Sequence, residues 1–251
     1  MELEVIYTIW LREMKRFLRE RSRIIGNISM PVIWLVIMGV GLNSSIRLPG
    51  VNVSYLSYMA PGIIGMSLLF TSMFSGISVI WDRQFGFLKE ILVAPVSRLS
   101  IVIGKIVGSS TISLINGTLI IIISVLMGAL HFGFLSLIMA FVFMLLISFT
   151  FVGIGLTIAS RLKNMEGFQM IMNFLIMPLF FLSGAFFPLE NVPIWMKTLA
   201  YIDPLMYGVD GLRNAFRGVS RLPIVLDLGV MLGFSTVMVL ISSYLFTRMS
   251  E

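Results

Sequence analysis

Few side chains in this chain could do chemistry. There is no cysteine and a single histidine, His131. Disulfides, zinc–thiolate centres, cysteine nucleophiles and multi-histidine metal sites are therefore excluded. A serine nucleophile needs a base within hydrogen-bond reach, but His131 falls in a predicted outer turn and no G-x-S-x-G segment is present. The pair Gly104–Lys105 lacks the preceding glycine and the following Ser/Thr of a G-x-x-x-x-G-K-[ST] loop, so this chain cannot cradle ATP phosphates in that way. Lys105 is read instead as reaching to the inner headgroups. What remains is a short charged island, WDRQFGFLKEILVAPVSR (residues 81–98), holding Asp82, Gln84 and Glu90 beside Arg83, Lys89 and Arg98. Its neighbours on both sides are almost wholly aliphatic, and such an interruption needs a reason.

The elements that must position this island follow from composition. The chain is 58% hydrophobic and 12% charged, against about 25% charged in a soluble domain. Six stretches reach the roughly 20 apolar residues that a membrane-spanning helix requires: about 24–42, 59–80, 106–129, 134–159, 168–187 and 224–246. The expected fold is an all-α integral membrane protein, a single transmembrane domain over residues 1–251. Placing the N-terminus inside puts thirteen of the 18 Lys and Arg in the inner segments, as the positive-inside rule demands. Both termini and the island are then cytoplasmic. The net charge of +6 is explained by this bias, and no nucleic-acid partner is expected.

Residues 1–23 read as an amphipathic helix in the inner membrane surface, with Leu3, Ile6, Trp10, Met14 and Phe17 on one face and Arg12, Arg16, Arg19 and Arg23 largely elsewhere. Pro31 and Pro178 should kink the first and fifth spans. Gly153, Gly155 and Ala159 should allow close packing of the fourth. Asn27, Asn116 and Asn173 read as interhelical hydrogen bonders. Asp227 lies near the outer end of span six and Glu166 in an inner loop, so no ionisable residue is expected at mid-span and no charge is expected to be buried. An ion-coupled secondary carrier, the alternative class, would need one.

From Asp82 to Val93 the island fits a short helix. Phe85, Leu88 and Leu92 share one face, and Phe87 and Ile91 form another. Asp82 would sit at its favourable N-terminus, and Ala94–Pro95 would stop it. Gly86 in mid-helix would cost roughly 1 kcal/mol relative to Ala, which suggests a bend or a close contact. One apolar side can meet the bundle, and the other needs a protein partner.

The stretch DRQFGFLKEILVAPVSRLSIVIGK (residues 82–105) resembles the cytoplasmic signature of type-2 ABC exporter permeases, with Asp82, Arg83, Phe85, Gly86, Leu88, Pro95, Ser97, Arg98, Gly104 and Lys105 in place. Gln84 stands where that family commonly has Glu. A second block, residues 178–213, resembles the end of span five and the outer segment after it, carried by Pro178, Leu182, Ser183, Gly184, Phe187, Pro188, Pro193, Trp195, Pro204, Leu205, Tyr207, Asp210 and Arg213. Asp203 and Met206 stand where Asn and Thr are more usual. YMAPGI (residues 58–63) is similar to the opening of span two, and the daunorubicin-resistance type is the nearest in look.

This resemblance implies that the chain is a permease subunit, not an enzyme, exporting an amphipathic or lipid-linked substrate from the cytoplasm across the cell membrane. It implies a coupling helix whose ATPase contacts are Asp82, Arg83, Gln84, Phe85, Gly86, Phe87, Leu88, Lys89 and Glu90. It also implies short helices at about Ile194–Leu199 and Leu205–Phe216 that re-enter the outer leaflet as a gate. The gate residues would be Ser183, Gly184, Phe187, Pro188, Trp195, Pro204, Tyr207, Asp210 and Arg213, with Trp195, Tyr201 and Tyr207 as interface anchors. This chain needs no cofactor or metal; ATP and Mg would be bound by two copies of a separate ATPase, with a second, identical permease and membrane lipid as the other partners.

Overall fold

The computed structural model describes residues 2–43, 54–86, 96–131, 133–162, 164–217 and 220–248. Among these the chain is all-α, with no strand. Five helices are long and apolar enough to cross a membrane, and a sixth crossing is reached if α1 (Glu2–Arg19) and the bent helix after it count as one span. The bend between them is 70°. The second helix, α2 (Arg21–Trp34), contains Pro31 and continues as a π-helical turn over Leu35–Val40. Proline removes an N–H and crowds the preceding turn.

The centre of the bundle is α3 (Tyr55–Phe74), capped by the Ser54 hydroxyl and buried on nearly every side. It breaks at Ser75–Gly76 and resumes as α4 (Ile77–Gln84). Two longer helices pack around it, α5 (Arg98–Leu126) and α6 (Phe134–Arg161). The break exists because α3 and α6 touch backbone to backbone there. A Cβ on Gly76 would lie 2.5 Å from the Gly155 carbonyl oxygen, and one on Gly155 would strike the Met73 carbonyl. Gly153 gives the same closeness to α10 (Ile224–Thr247), where a Cβ would stand 2.9 Å from that of Met238. The small residues of span four therefore serve the packing role expected of them.

Span five, α7 (Met165–Leu182), is shorter than the sequence suggests. It stops at Leu182, and Ser183–Phe187 fold back, with Gly184 at φ +73. The Ser183 hydroxyl donates to the Phe180 carbonyl and accepts from the Ala185 N–H, satisfying groups left free at a helix end. The outer segment then forms α8 (Ile194–Ile202) and α9 (Pro204–Arg217), slightly longer than expected. In contrast to a loop resting on the surface, α9 is enclosed by α3, α6 and α10. Its glycines make this possible: a Cβ on Gly208 would lie 2.6 Å from the Ile147 side chain, and Gly211 abuts the Phe143 ring.

Candidate functional site

The charged island begins differently from the sequence expectation. Asp82, Arg83 and Gln84 do not start a new helix; they form the last turn of α4, and Asp82 lies near a C-terminus rather than an N-terminus. The helix closes through Phe85 and Gly86, and Gly86 has φ +74. Gly86 is thus a helix terminator, not a mid-helix residue. No atom of the described residues lies within 4 Å of where its Cβ would be, and its positive φ is a conformation that favours glycine. Phe87, Leu88, Lys89 and Glu90, with the remainder of the expected helix to Val93 and the Pro95 stop, lie outside the described residues.

Asp82 is buried and shared between two cations. Its Oδ2 accepts from Lys105 Nζ at 2.7 Å, and its Oδ1 accepts from the Arg12 guanidinium. Lys105 is only 1% exposed and does not reach the headgroups. Its stem enters the bundle, with Nζ also 3.4 Å from the Ser78 hydroxyl and 3.6 Å from a Glu13 carboxylate oxygen. The last distance is too long for a hydrogen bond, so Glu13 is held by charge. The four side chains sum to zero charge, which is the condition under which ions can be buried. They tie together α1, α4 and α5.

Glycine sets the geometry of this knot. A Cβ on Gly104 would lie 2.9 Å from Ile9 Cβ, and one on Gly108 would lie 3.1 Å from Glu13 Cβ. These two positions, one turn apart, let α1 lie directly on α5. Trp10 Nε1 then donates to Thr111 at 3.1 Å. Glu2, at the start of α1, accepts from the Ser100 and Ser97 hydroxyls, which hold its carboxyl below the usual range.

Both signature arginines are turned toward the chain. Arg83 donates to the Leu162 carbonyl at 2.7 Å and the Ser160 carbonyl at 3.1 Å, closing the C-terminus of α6. Arg98 donates to the Thr247 carbonyl at 2.6 Å and does the same for α10. Cations are favoured at such ends. Gln84 and Phe85 point the other way: Phe85 is 82% exposed although it is a large aromatic group. Lys105 and Asp82, with Asp227 near the outer end, overturn the expectation that no charge is buried. Neither carboxylate oxygen of Asp227 has a hydrogen-bond partner among the described residues.

The outer block forms a second knot. The Gly184 carbonyl accepts from the Tyr58 hydroxyl at 3.2 Å and from Arg213 at 3.1 Å. The Arg213 guanidinium also lies 4.1 Å above the Tyr58 ring, a cation–π arrangement. Asp210 sits 3.8 Å from Arg213 and accepts the backbone N–H groups of Arg221 and Leu222 at 2.9–3.1 Å. This joins Gly184, Asp210 and Arg213 to Tyr58 of α3, while Ser183 holds the helix end just before Gly184. Pro204 is the buried first residue of α9, and Phe187 and Pro188 are half-buried. Trp195 and Tyr201 are exposed, but Tyr207 is buried and donates to the Tyr201 carbonyl at 2.9 Å. Of the three asparagines, Asn116 makes an interhelical bond, 3.4 Å to Thr71, while Asn173 faces out. Glu166 belongs to the first turn of α7, not to a loop.

Arg12 and Glu13 did not figure among the expected site residues. The sequence does carry a signal for Glu13: it interrupts the apolar run Ile6, Trp10, Phe17 at helical spacing, and an acid on an apolar face needs a buried partner.

Asp203 supplies a further test. Its Oδ1 accepts from the Leu205 N–H at 2.9 Å at the start of α9, while its Oδ2 is buried without a partner. Asp203→Asn keeps the cap and removes a buried carboxyl whose charged form burial disfavours, so it is expected to melt at or above the parent temperature in detergent. Asp203→Ala loses the cap and should cost about 0.5–2 kcal/mol. Equal losses in the two variants would show that the cap is not what Asp203 contributes.

A family model described as "ABC-2 type transporter" matches residues 4–216. The chain is 31% identical over 208 residues to the putative transport permease ycf38 of Pyropia yezoensis, covering 80% of this chain and 70% of that protein. It is 28% identical to nodulation protein J of Rhizobium leguminosarum bv. viciae, over 90% of this chain and 87% of the relative. It is 27% identical to the inner membrane transport permease YadH of Escherichia coli K12, over 96% and 94%.

Proposed function

The chain belongs to the ABC-2 type transporter family, and from that premise we propose that it exports an amphipathic or lipid-linked molecule across the cell membrane, with both termini in the cytoplasm. It is a multi-pass membrane protein, the transmembrane subunit of an ABC transporter, and not itself the ATPase. Its family normally partners with a separate ABC ATPase. In this reading two ATPase subunits bind ATP and Mg, and a second copy of the permease completes the pathway. The ion-coupled carrier gives way to this reading because family membership supplies an ATP-driven partner.

The observation that carries the coupling role is the end of α4. Asp82 and Arg83 are each engaged inside the chain, so the helix end is held rigidly on three other helices. Phe85 projects from that fixed base. A rigid base with an exposed aromatic tip can receive force from a partner and pass it into α3, of which α4 is the continuation. Asp82 and Arg83 therefore hold the base. The contact itself is made by Gln84, Phe85 and Gly86, together with 87–90. Ser97, whose hydroxyl caps α5, marks the chain's return.

At the outer end, α8 and α9 form a gate hairpin. Gly208 packs on Ile147, which lies 13 residues into α6, about 20 Å along the helix axis at 1.5 Å per residue. That depth supports re-entry into the outer leaflet. The knot of Gly184, Asp210 and Arg213 on Tyr58 would link the gate to α3, the helix that α4 extends at the inner end.

Topology is tested by labelling, which is simple in a chain without cysteine. Gln84→Cys is expected to react with impermeant maleimide only from the cytoplasm, and Asn191→Cys only from outside. Added ATPase should protect the first and leave the second unchanged. Labelling of Gln84→Cys from outside would reverse the orientation and end the coupling assignment.

A further inference from the structure

We propose that α1 carries a binding site for the headgroup of an anionic phospholipid of the inner leaflet, formed by Lys15 and Arg19 beside the exposed edge of Leu18. Three faces run along this helix. Ile9, Glu13 and Phe17 are buried against the bundle. Leu3, Tyr7 and Leu18 are exposed, so amphipathicity is not exhausted by packing on α5. A third face holds Arg12, Lys15, Arg16 and Arg19 and borders a shallow groove of about 510 Å³.

The cations of that face are not equivalent. Arg12 is committed to Asp82, and Arg16 pairs with Glu20 at 3.3 Å while lying 4.3 Å above the Trp81 ring. Lys15 and Arg19 are exposed, without an ion-pair partner among the described residues. At 100° per residue they stand roughly 80° around the helix from Tyr7 and Leu18. α1 runs alongside α5, with Glu2 beside Ser97 and Phe17 beside Ile112, so Leu18 is the exposed apolar residue at its membrane end, where an apolar edge can meet acyl chains and adjacent cations the headgroups. Here the next edge is the one with two free cations, and a guanidinium suits a phosphate well. An apolar edge contiguous with the cations favours a lipid over free phosphate, which has nothing to place there.

The same helix brings Arg12 and Glu13 to Lys105 and to Asp82, two residues before the segment assigned to the ATPase. A lipid held at Lys15 and Arg19 would therefore fix the helix that fixes the coupling end. The inner-leaflet assignment rests on the orientation proposed above; lipid selectivity does not, and can be measured without the ATPase or transport.

The experiment uses the full-length permease in phosphatidylcholine bilayers with trace spin-labelled phosphatidylglycerol or phosphatidylcholine. Electron paramagnetic resonance reads the preference of the motionally restricted fraction for the anionic lipid. The parent is expected to prefer phosphatidylglycerol, and Lys15→Gln/Arg19→Gln to lose up to about fivefold of that preference per cation removed. Lys15→Arg and the outer control Lys197→Gln should keep it. An unchanged melting temperature confirms that the double variant is folded. Potassium phosphate should weaken the preference no more than chloride of equal ionic strength. The proposal is overturned if the double variant keeps the full preference, or if phosphate competes better than chloride. It is equally overturned if the variant loses ATPase capture while its lipid preference is intact, because the cations then face the ATPase.

Discussion

Lys105→Met is expected to destabilise the permease by about 3–5 kcal/mol, enough to deplete the folded protein from the membrane. The substitution preserves most of the side-chain volume, so cavity formation contributes little. The loss comes from charge. Without Lys105, the buried carboxylates of Asp82 and Glu13 face a single cation, the partly exposed Arg12. An uncompensated buried charge costs more than the pair was worth. Lys105→Met combined with Glu13→Leu should therefore recover most of the loss, since it leaves the Arg12–Asp82 pair intact and replaces two ions by apolar groups. Denaturant titration in mixed micelles, read with detergent gel filtration of the tagged protein, measures both. A single variant within about 1 kcal/mol of the parent, or a double variant no better than the single, would show that the four groups do not act as one unit.

Phe85→Ser is expected to do the reverse: to leave folding untouched and break the partnership. The ring is almost fully exposed at the end of an anchored helix, so its removal opens no cavity. If it is an anchor in the ATPase cleft, its loss should cost about 2 kcal/mol or more of association, roughly thirtyfold in affinity. ATP-driven export should fall with it, and Phe85→Tyr should retain both. Affinity is read by titrating purified ATPase onto permease in nanodiscs, alongside the melting temperature. Parent-like affinity in Phe85→Ser would remove the α4 end from the interface.

The contrast between the two residues explains how the site could be read from sequence and how it could not. Periodicity and hydropathy located the spans, because each must satisfy its backbone internally over the same thickness of hydrocarbon. Apart from span one, whose count depends on how its bend is treated, the expected spans differ from the observed helices mainly at their ends. Phe85 was legible as part of a motif. The direction in which Asp82, Arg83 and Lys105 point was not. All three looked like surface charge because they flank apolar runs, and nothing local distinguishes a cation bound for the headgroups from one bound for a carboxylate on another helix.

Composition and local pattern by themselves determined an all-helical membrane chain, a charged break after span two, aromatic and proline punctuation after span five, and the absence of a phosphate-binding loop. These are properties of single segments in a given solvent, so a linear reading suffices for them. Tertiary structure alone decided that α1 lies on α5 through Gly104 and Gly108, that Lys105 turns inward to Asp82 and Glu13, and that α9 enters between α3, α6 and α10. It also decided that Gly86 ends a helix rather than occupying its middle. The physical reason is common to the first three: a buried charge and a close glycine crossing are each defined by what stands opposite, whereas the helix end at Gly86 rests on a positive φ that the residue type permits but does not impose. Here the partner is 70 to 92 residues away for the Asp82–Arg12 and Lys105–Glu13 pairs, well beyond the reach of any helical or turn periodicity.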